Sequence, residues 1–113
     1  MSIKETITYD KFESLDIRVG TILEARVFEK AIKPAYQLKI DFGDLGIKNS
    51  SAQITTLYSM ESLIGKQIIA IVNFPPKQIA NFISECLVLG VLNEKGVVLL
   101  SPEQGVNNGE VIG

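Results

Sequence analysis

Between positions 17 and 28 the chain alternates: Ile17, Val19, Thr21, Leu23, Ala25 and Val27 share one parity, while Arg18, Glu24 and Arg26 share the other. In an extended chain successive side chains point to opposite faces, so this segment predicts a long half-buried β-strand whose odd positions face inward, with Gly20 marking a bend or bulge. The alternation returns at Tyr36, Leu38, Ile40 and Phe42 against Gln37, Lys39 and Asp41, a second strand. Gly43-Asp44-Leu45-Gly46 has the composition of a turn, and 47–54, rich in Ser and Asn, reads as a third and more polar strand. Two stretches carry helical spacing instead. In 8–15, Phe12 and Leu15 fall on one face, Thr8 stands where a cap is wanted, and Asp10 sits at the positive end of the dipole. Leu57, Met60, Leu63 and Ile64 recur at three to four residues, with Ser59 as cap and Gly65 as stop. A β-branched run over 67–73 makes a fourth strand, Pro75-Pro76 a loop, and 85–92 a fifth strand.

Five strands with a helix between the third and fourth is the order of an OB-fold, a partly open five-stranded barrel. The expectation is one all-β domain over 1–113, its barrel at about 16–92, with short helices and extensions of about 1–15 and 93–113. The second extension holds Val97-Val98-Leu99-Leu100, a further strand, then Val106 and Val111-Ile112. These ends must pack on the barrel or on a second subunit. A chain of 113 residues buries roughly two-thirds of its unfolded surface, enough for one core. Its 46% apolar content is nevertheless high for a lone small domain, which points to apolar surface shared with a second copy.

Composition then removes whole classes of chemistry. The chain has no histidine, hence no common general base, no usual nucleophilic triad and few transition-metal options, so an enzyme is not expected. Asp41 and Asp44 flank Gly43 without the further acidic ligands of a calcium loop, and no metal or cofactor is expected. Asp16 and Glu24, eight positions apart on a strand, lie roughly 26 Å apart and cannot share a catalytic site. The glycines form no phosphate-binding fingerprint. Cys86 is the single cysteine, with apolar flanks that suit a buried, inert thiol. The longest apolar runs fall far short of the roughly 20 residues of a membrane span, and the first residues mix charges unlike a secretory signal, so the expected compartment is the cytoplasm, with no membrane partner. A net charge of −2 supplies no long-range pull on phosphate, and any nucleic-acid site must be a local patch.

The segment 73–79, Asn73-Phe74-Pro75-Pro76-Lys77-Gln78-Ile79, stands out. Two prolines after a buried strand hold a loop extended and out of the sheet. The loop offers an amide, an aromatic face and a cation, which suit a flexible polar strand, RNA or peptide. Composition alone gives equal weight to a stiff connection with Phe74 in the core.

Asp16-Ile17-Arg18-Val19-Gly20, Lys39-Ile40-Asp41-Phe42-Gly43, Ser50-Ser51-Ala52-Gln53-Ile54, the 73–79 segment and Ser84-Glu85-Cys86-Leu87-Val88-Leu89-Gly90 resemble, in order and spacing, the blocks of the tRNA-binding domain family, in its CsaA-type chaperone-like branch. That family also includes appended domains of many methionyl-tRNA synthetases. The resemblance spans about residues 9–109. It implies an OB-fold, a homodimer built through elements outside the barrel, tRNA binding, and binding of unfolded or export-bound polypeptides, with no catalysis and no cofactor. Position by position, Asn73, Lys77, Ser84 and Glu85 fall on the side of the family's binding face, and Arg18 falls in the first-strand block. Lys33 and Lys39 join them as RNA candidates, and Arg18 and Arg26, of equal parity, are expected on one outer face. For a polypeptide the expected lining is Phe74, Ile79, Phe82 and Ile83, the last three at helical spacing. The chain departs from the family at Asn107, where a proline is usual, and at Ile83 and Cys86, where other residues are usual.

Overall fold

The structure is a computed structural model and describes residues 2–113. Along the chain, α1 (Tyr9–Glu13) precedes β1 (Ile17–Val27), β2 (Tyr36–Asp41), β3 (Ile47–Ala52), α2 (Met60–Leu63) and β4 (Gln67–Ile71). Then follow β5 (Lys77–Ile79), β6 (Phe82–Ser84), β7 (Leu87–Val88), β8 (Gly90–Asn93) and β9 (Gly96–Leu99). Five strands form one antiparallel sheet in the order β3-β2-β1-β4-β7, curled into the OB-fold barrel, while β5-β6 and β8-β9 are separate hairpins.

The eleven-residue β1 makes the barrel possible because it serves two neighbours. Its first half pairs with β4, from Ile17 opposite Ile71 to Thr21 opposite Gln67; its second half pairs with β2. At the transition Ile22 lies opposite Ile40 and Glu24 opposite Lys39, so Leu23 is the extra residue of a bulge. The bulge is therefore at Leu23, not Gly20, and it reverses the parity of the strand. Ile22 is buried and Leu23, expected inside, is exposed; Val27 keeps the inward parity opposite Tyr36 but is exposed at the end of the strand. Arg18 lies on the side of Gly20 and Ile22, while Arg26 follows the reversed parity, so the two arginines do not share a face. Gly20 is needed for packing: a Cβ there would lie 2.6 Å from Ile40 and 2.7 Å from Phe42. Those two join Ile22, Leu38, Leu63 and Ile68 in a core closed to solvent.

The end elements follow local chemistry. Ser59 Oγ accepts the Ser62 N–H at 3.2 Å, capping α2, and Gly65 ends it at φ +87°. Thr8 makes no side-chain cap on α1, and Phe12 and Leu15 are half-buried. The expected fifth strand over 85–92 divides: β7 stays with β4, and β8 leaves to pair with β9. The segment 78–83 is a hairpin, not a helical turn. Its two-residue loop holds Ala80 at φ +52°, and Ile79 faces Phe82 across the strands while Ile83 points to the opposite face with Gln78. Three apolar positions within six residues fit either period, and the neighbouring strand edge decides.

The chain's last residues add to the edge of β1 that β2 does not reach. Gly109 N–H donates to Val19 C=O at 2.7 Å, Val19 N–H to Glu110 C=O at 3.0 Å, and Ile112 N–H to Ile17 C=O at 2.8 Å. The Gln67 side chain exchanges two hydrogen bonds with the Val106 backbone, at 2.6 and 3.1 Å. Among the described residues no helix is long and apolar enough to cross a membrane.

Candidate nucleic-acid and polypeptide interface

The segment between β4 and β7 leaves the barrel as the β5-β6 hairpin and lies against β3. Pro75 and Pro76 cannot donate to a ladder, so the chain turns away after Ile71 instead of extending β4. β3 then meets side chains where a strand would pair. Ser51 N–H donates to Ser84 Oγ at 3.0 Å, and Asn49 N–H to Glu85 Oε1 at 2.9 Å. Glu85 N–H returns a bond to Asn49 C=O at 2.8 Å, and Ser50 Oγ donates to Cys86 C=O at 2.8 Å.

This sorts the candidate RNA residues into two groups. Ser84 and Glu85 are occupied in closing the barrel. Asn73 Oδ1 accepts the Asp16 N–H at 2.9 Å and its Nδ2 donates to Ser14 C=O at 2.8 Å, tying the residues before β1 to the end of β4. Arg18 Nε meets Asp16 Oδ1 at 2.6 Å and its Nη1 donates to Gly109 C=O at 2.9 Å, which anchors the tail. The hydrogen bond to Asp16 also raises the pKa of Arg18, so it is charged throughout. Lys33, Lys39 and Lys77 form the second group and are exposed. Lys33 lies in the 28–35 loop, Lys39 on β2 with its Nζ 3.9 Å from Glu24, and Lys77 on β5.

Two depressions flank the hairpin. An apolar groove of about 640 Å³ runs from the end of β3 to β8, lined by Phe74, Pro75, Ile79, Leu87, Leu89 and Leu92, with Lys77, Ser84 and Glu85 also on its walls. Phe74 and Ile79 thus meet in one groove, and Phe74 is 45% exposed, so it is not a core residue. Phe82 and Ile83 do not line it. Phe82 crosses to the outer face of β1-β2-β3 and packs edge-on against Phe28 at 5.4 Å, while Ile83 faces solvent. The second depression, of about 130 Å³, lies on that outer face between Phe82 and Glu24, Arg26, Gln37, Lys39 and Asn49. Gln37 and Asn49 were not singled out by the sequence; their only signal there was outward polar parity in β2 and a polar third strand.

Cys86 lines the apolar groove from beneath and is 5% exposed. Burial, aided by the charge of Glu85 and opposed in part by Ser50 and Lys48, pushes its thiol up to about 11. It is protonated at neutral pH and no nucleophile.

These positions can be set beside known proteins. The CsaA chaperone protein of Picrophilus torridus is 60% identical, with a TM-score of 0.91 over 96% of this chain and 100% of that one. The chaperone CsaA of Bacillus anthracis is 51% identical, with the same TM-score and coverage. A methionine–tRNA ligase of Leptospira biflexa is 34% identical over 106 residues, 94% of this chain but 15% of the ligase, so the chain spans about a sixth of the length of the curated relatives it matches. The family model described as "Putative tRNA binding domain" matches residues 17–111, from the start of β1 through the tail that closes on it. The chain belongs to the tRNA-binding domain family.

Proposed function

We propose that this chain is a non-catalytic tRNA-binding module acting as a homodimer in the cytoplasm. The observation that carries the reading is the family match across 17–111, barrel and tail together. The exposed cations Lys33, Lys39 and Lys77 stand on the loop, strand and hairpin around the face that OB-folds use for oligonucleotides. We assign them to phosphate contact, and assign Arg18, Asn73, Ser84 and Glu85 to holding the barrel's ends and edge in place. With a net charge of −2, binding depends on these local contacts and falls steeply with salt. The barrel, about 16–92, carries this face, and the extensions 1–15 and 93–113 serve the dimer. Ile3 at 98% exposure, with Ile7 and Val111, is apolar surface on these extensions that a second copy would cover.

The test is fluorescence anisotropy of labelled tRNA and, in parallel, of a labelled unfolded polypeptide, each titrated with protein across a salt series. Wild type binds tRNA with a steep salt slope, and Lys33→Glu with Lys77→Glu weakens binding at least tenfold while light scattering still gives a dimer. Absence of tRNA binding at low salt, or binding indifferent to both substitutions, would overturn the reading. The groove with Phe74 and Ile79 favours a second function, capture of unfolded or export-bound polypeptide. Salt-insensitive peptide binding without a tRNA signal would select it.

A further inference from the structure

We infer that the outer face of β1-β2-β3 receives one unstacked base of a single-stranded RNA segment, in the slot between Phe82, Gln37 and Asn49. This rests on the RNA-binding reading above and specifies what part of an RNA is bound. The strand register sets two neighbouring rows across the face: Arg26, Gln37 and Ser51 in one, Glu24, Lys39 and Asn49 in the next. Gln37 and Asn49 are therefore diagonal neighbours on adjacent strands, with Cα atoms roughly 7–8 Å apart. Among the described residues neither side-chain amide makes a hydrogen bond, although Gln37 lies within the strand ladder and the Asn49 N–H and C=O are both taken by Glu85. Each amide carries two donors and an acceptor, the complement that the edge of a base presents.

Phe82 supplies the wall. It belongs to the hairpin, but its edge-on contact with Phe28, where the 28–35 loop begins, spans the two segments that border the face. The contact restrains the ring before any ligand arrives, and aromatic side chains that wait in place are the usual platforms for unstacked bases. At about 130 Å³ the slot admits a single planar ring system. In an A-form duplex the bases stay stacked inside and their major-groove edges are out of reach of side chains, so a slot of this kind distinguishes single strands from helices.

Arg26 and Lys39 complete the site in a form that waits for phosphate. Both lean on one carboxylate, Glu24, at 3.3 and 3.9 Å, and all three side chains are close to half exposed or more. Pairs of this kind in solvent are weak and readily exchanged. A phosphate beside the slot takes over the two cations from Glu24, whose charge opposes its approach.

The experiment titrates a labelled single-stranded RNA of mixed sequence, the same strand annealed to its complement, and whole tRNA against wild type, Gln37→Ala with Asn49→Ala, Phe82→Leu, and Glu24→Gln. Wild type binds the single strand at least tenfold more tightly than the duplex. The double alanine variant loses five- to fiftyfold on the single strand with its melting temperature unchanged, and Glu24→Gln gains threefold or more. Phe82→Leu follows the double variant; should it fail to fold, the amide and Glu24 variants decide alone. Equal affinity for duplex, or single-strand affinity within twofold of wild type in both the amide and Glu24 variants, overturns the slot. If tRNA binding is lost on Lys33→Glu with Lys77→Glu yet indifferent to these changes, the slot falls and the tRNA reading stands. No RNA binding by wild type removes both.

Discussion

Cys86 is the only thiol in the chain, so labelling reports one site without ambiguity, and its position beneath the apolar groove makes the outcome informative. With the thiol pushed up to about 11, about one molecule in a thousand carries the thiolate at pH 8, against about a tenth for an ordinary thiol ionising near pH 9. That alone slows attack on a disulfide reagent by roughly 100-fold, but a thiolate of higher pKa is intrinsically more nucleophilic, which returns about eightfold. The net expectation in the folded protein is labelling roughly tenfold slower than in urea-unfolded chain, and slower still because the residue is 5% exposed. The same shift has a stability consequence. The unfolded thiol ionises near pH 9 and the folded one near 11, so the contribution is intact below about pH 9 and is lost as pH rises to about 11, at about 1.4 kcal/mol per unit. The assay is stopped-reagent labelling at pH 8 with and without urea, alongside urea melts from pH 7 to 11. Folded-state labelling at the unfolded rate, in conditions where the protein is shown to be folded, would refute the claim that burial governs this thiol.

Two further perturbations address the barrel and its closure. In Gly20→Ala the new methyl carbon would sit within 2.6–2.8 Å of Ile40 and Phe42, both closed to solvent and unable to swing away. Overpacking of this kind costs about 1–3 kcal/mol and lowers the melting temperature by roughly 5–15 °C, read by circular dichroism; a change within about a degree would show that the core yields. Deleting 105–113 strips the partners from Ile17 C=O, from Val19 N–H and C=O, and from the Gln67 amide. The expected loss is about 3–5 kcal/mol, seen as a lower urea midpoint, and an unchanged midpoint would mean that water replaces the tail without penalty. Deleting 97–113 also takes Leu99 from the core and gives monomers or insoluble protein, whereas a soluble truncated dimer would refute our placing of the dimer contact in the extensions.

The strands of the barrel and the α2 plug were legible because each rests on a local signal: period-two alternation in 36–42, a β-branched run in 67–71, Ser59 and Gly65 around four helical residues. The family, too, was legible, since blocks of residues at set spacings are a property of the chain and need no coordinates. What the sequence could not determine was settled by contacts between distant segments. Alternation cannot locate a bulge, because an extra residue is defined only against the partner strand; β2 set it at Leu23 and so separated Arg18 from Arg26. The period of 78–83 was ambiguous within six residues until β3 supplied an edge beside it. Of the seven residues named for RNA, Arg18, Asn73, Ser84 and Glu85 carry the right chemistry in sequence, but folding gives each a backbone partner 33 to 91 positions away, whereas Lys33, Lys39 and Lys77 remain exposed. Residue type determines what a side chain can bind; only the packed chain decides whether its hydrogen-bonding capacity is still free.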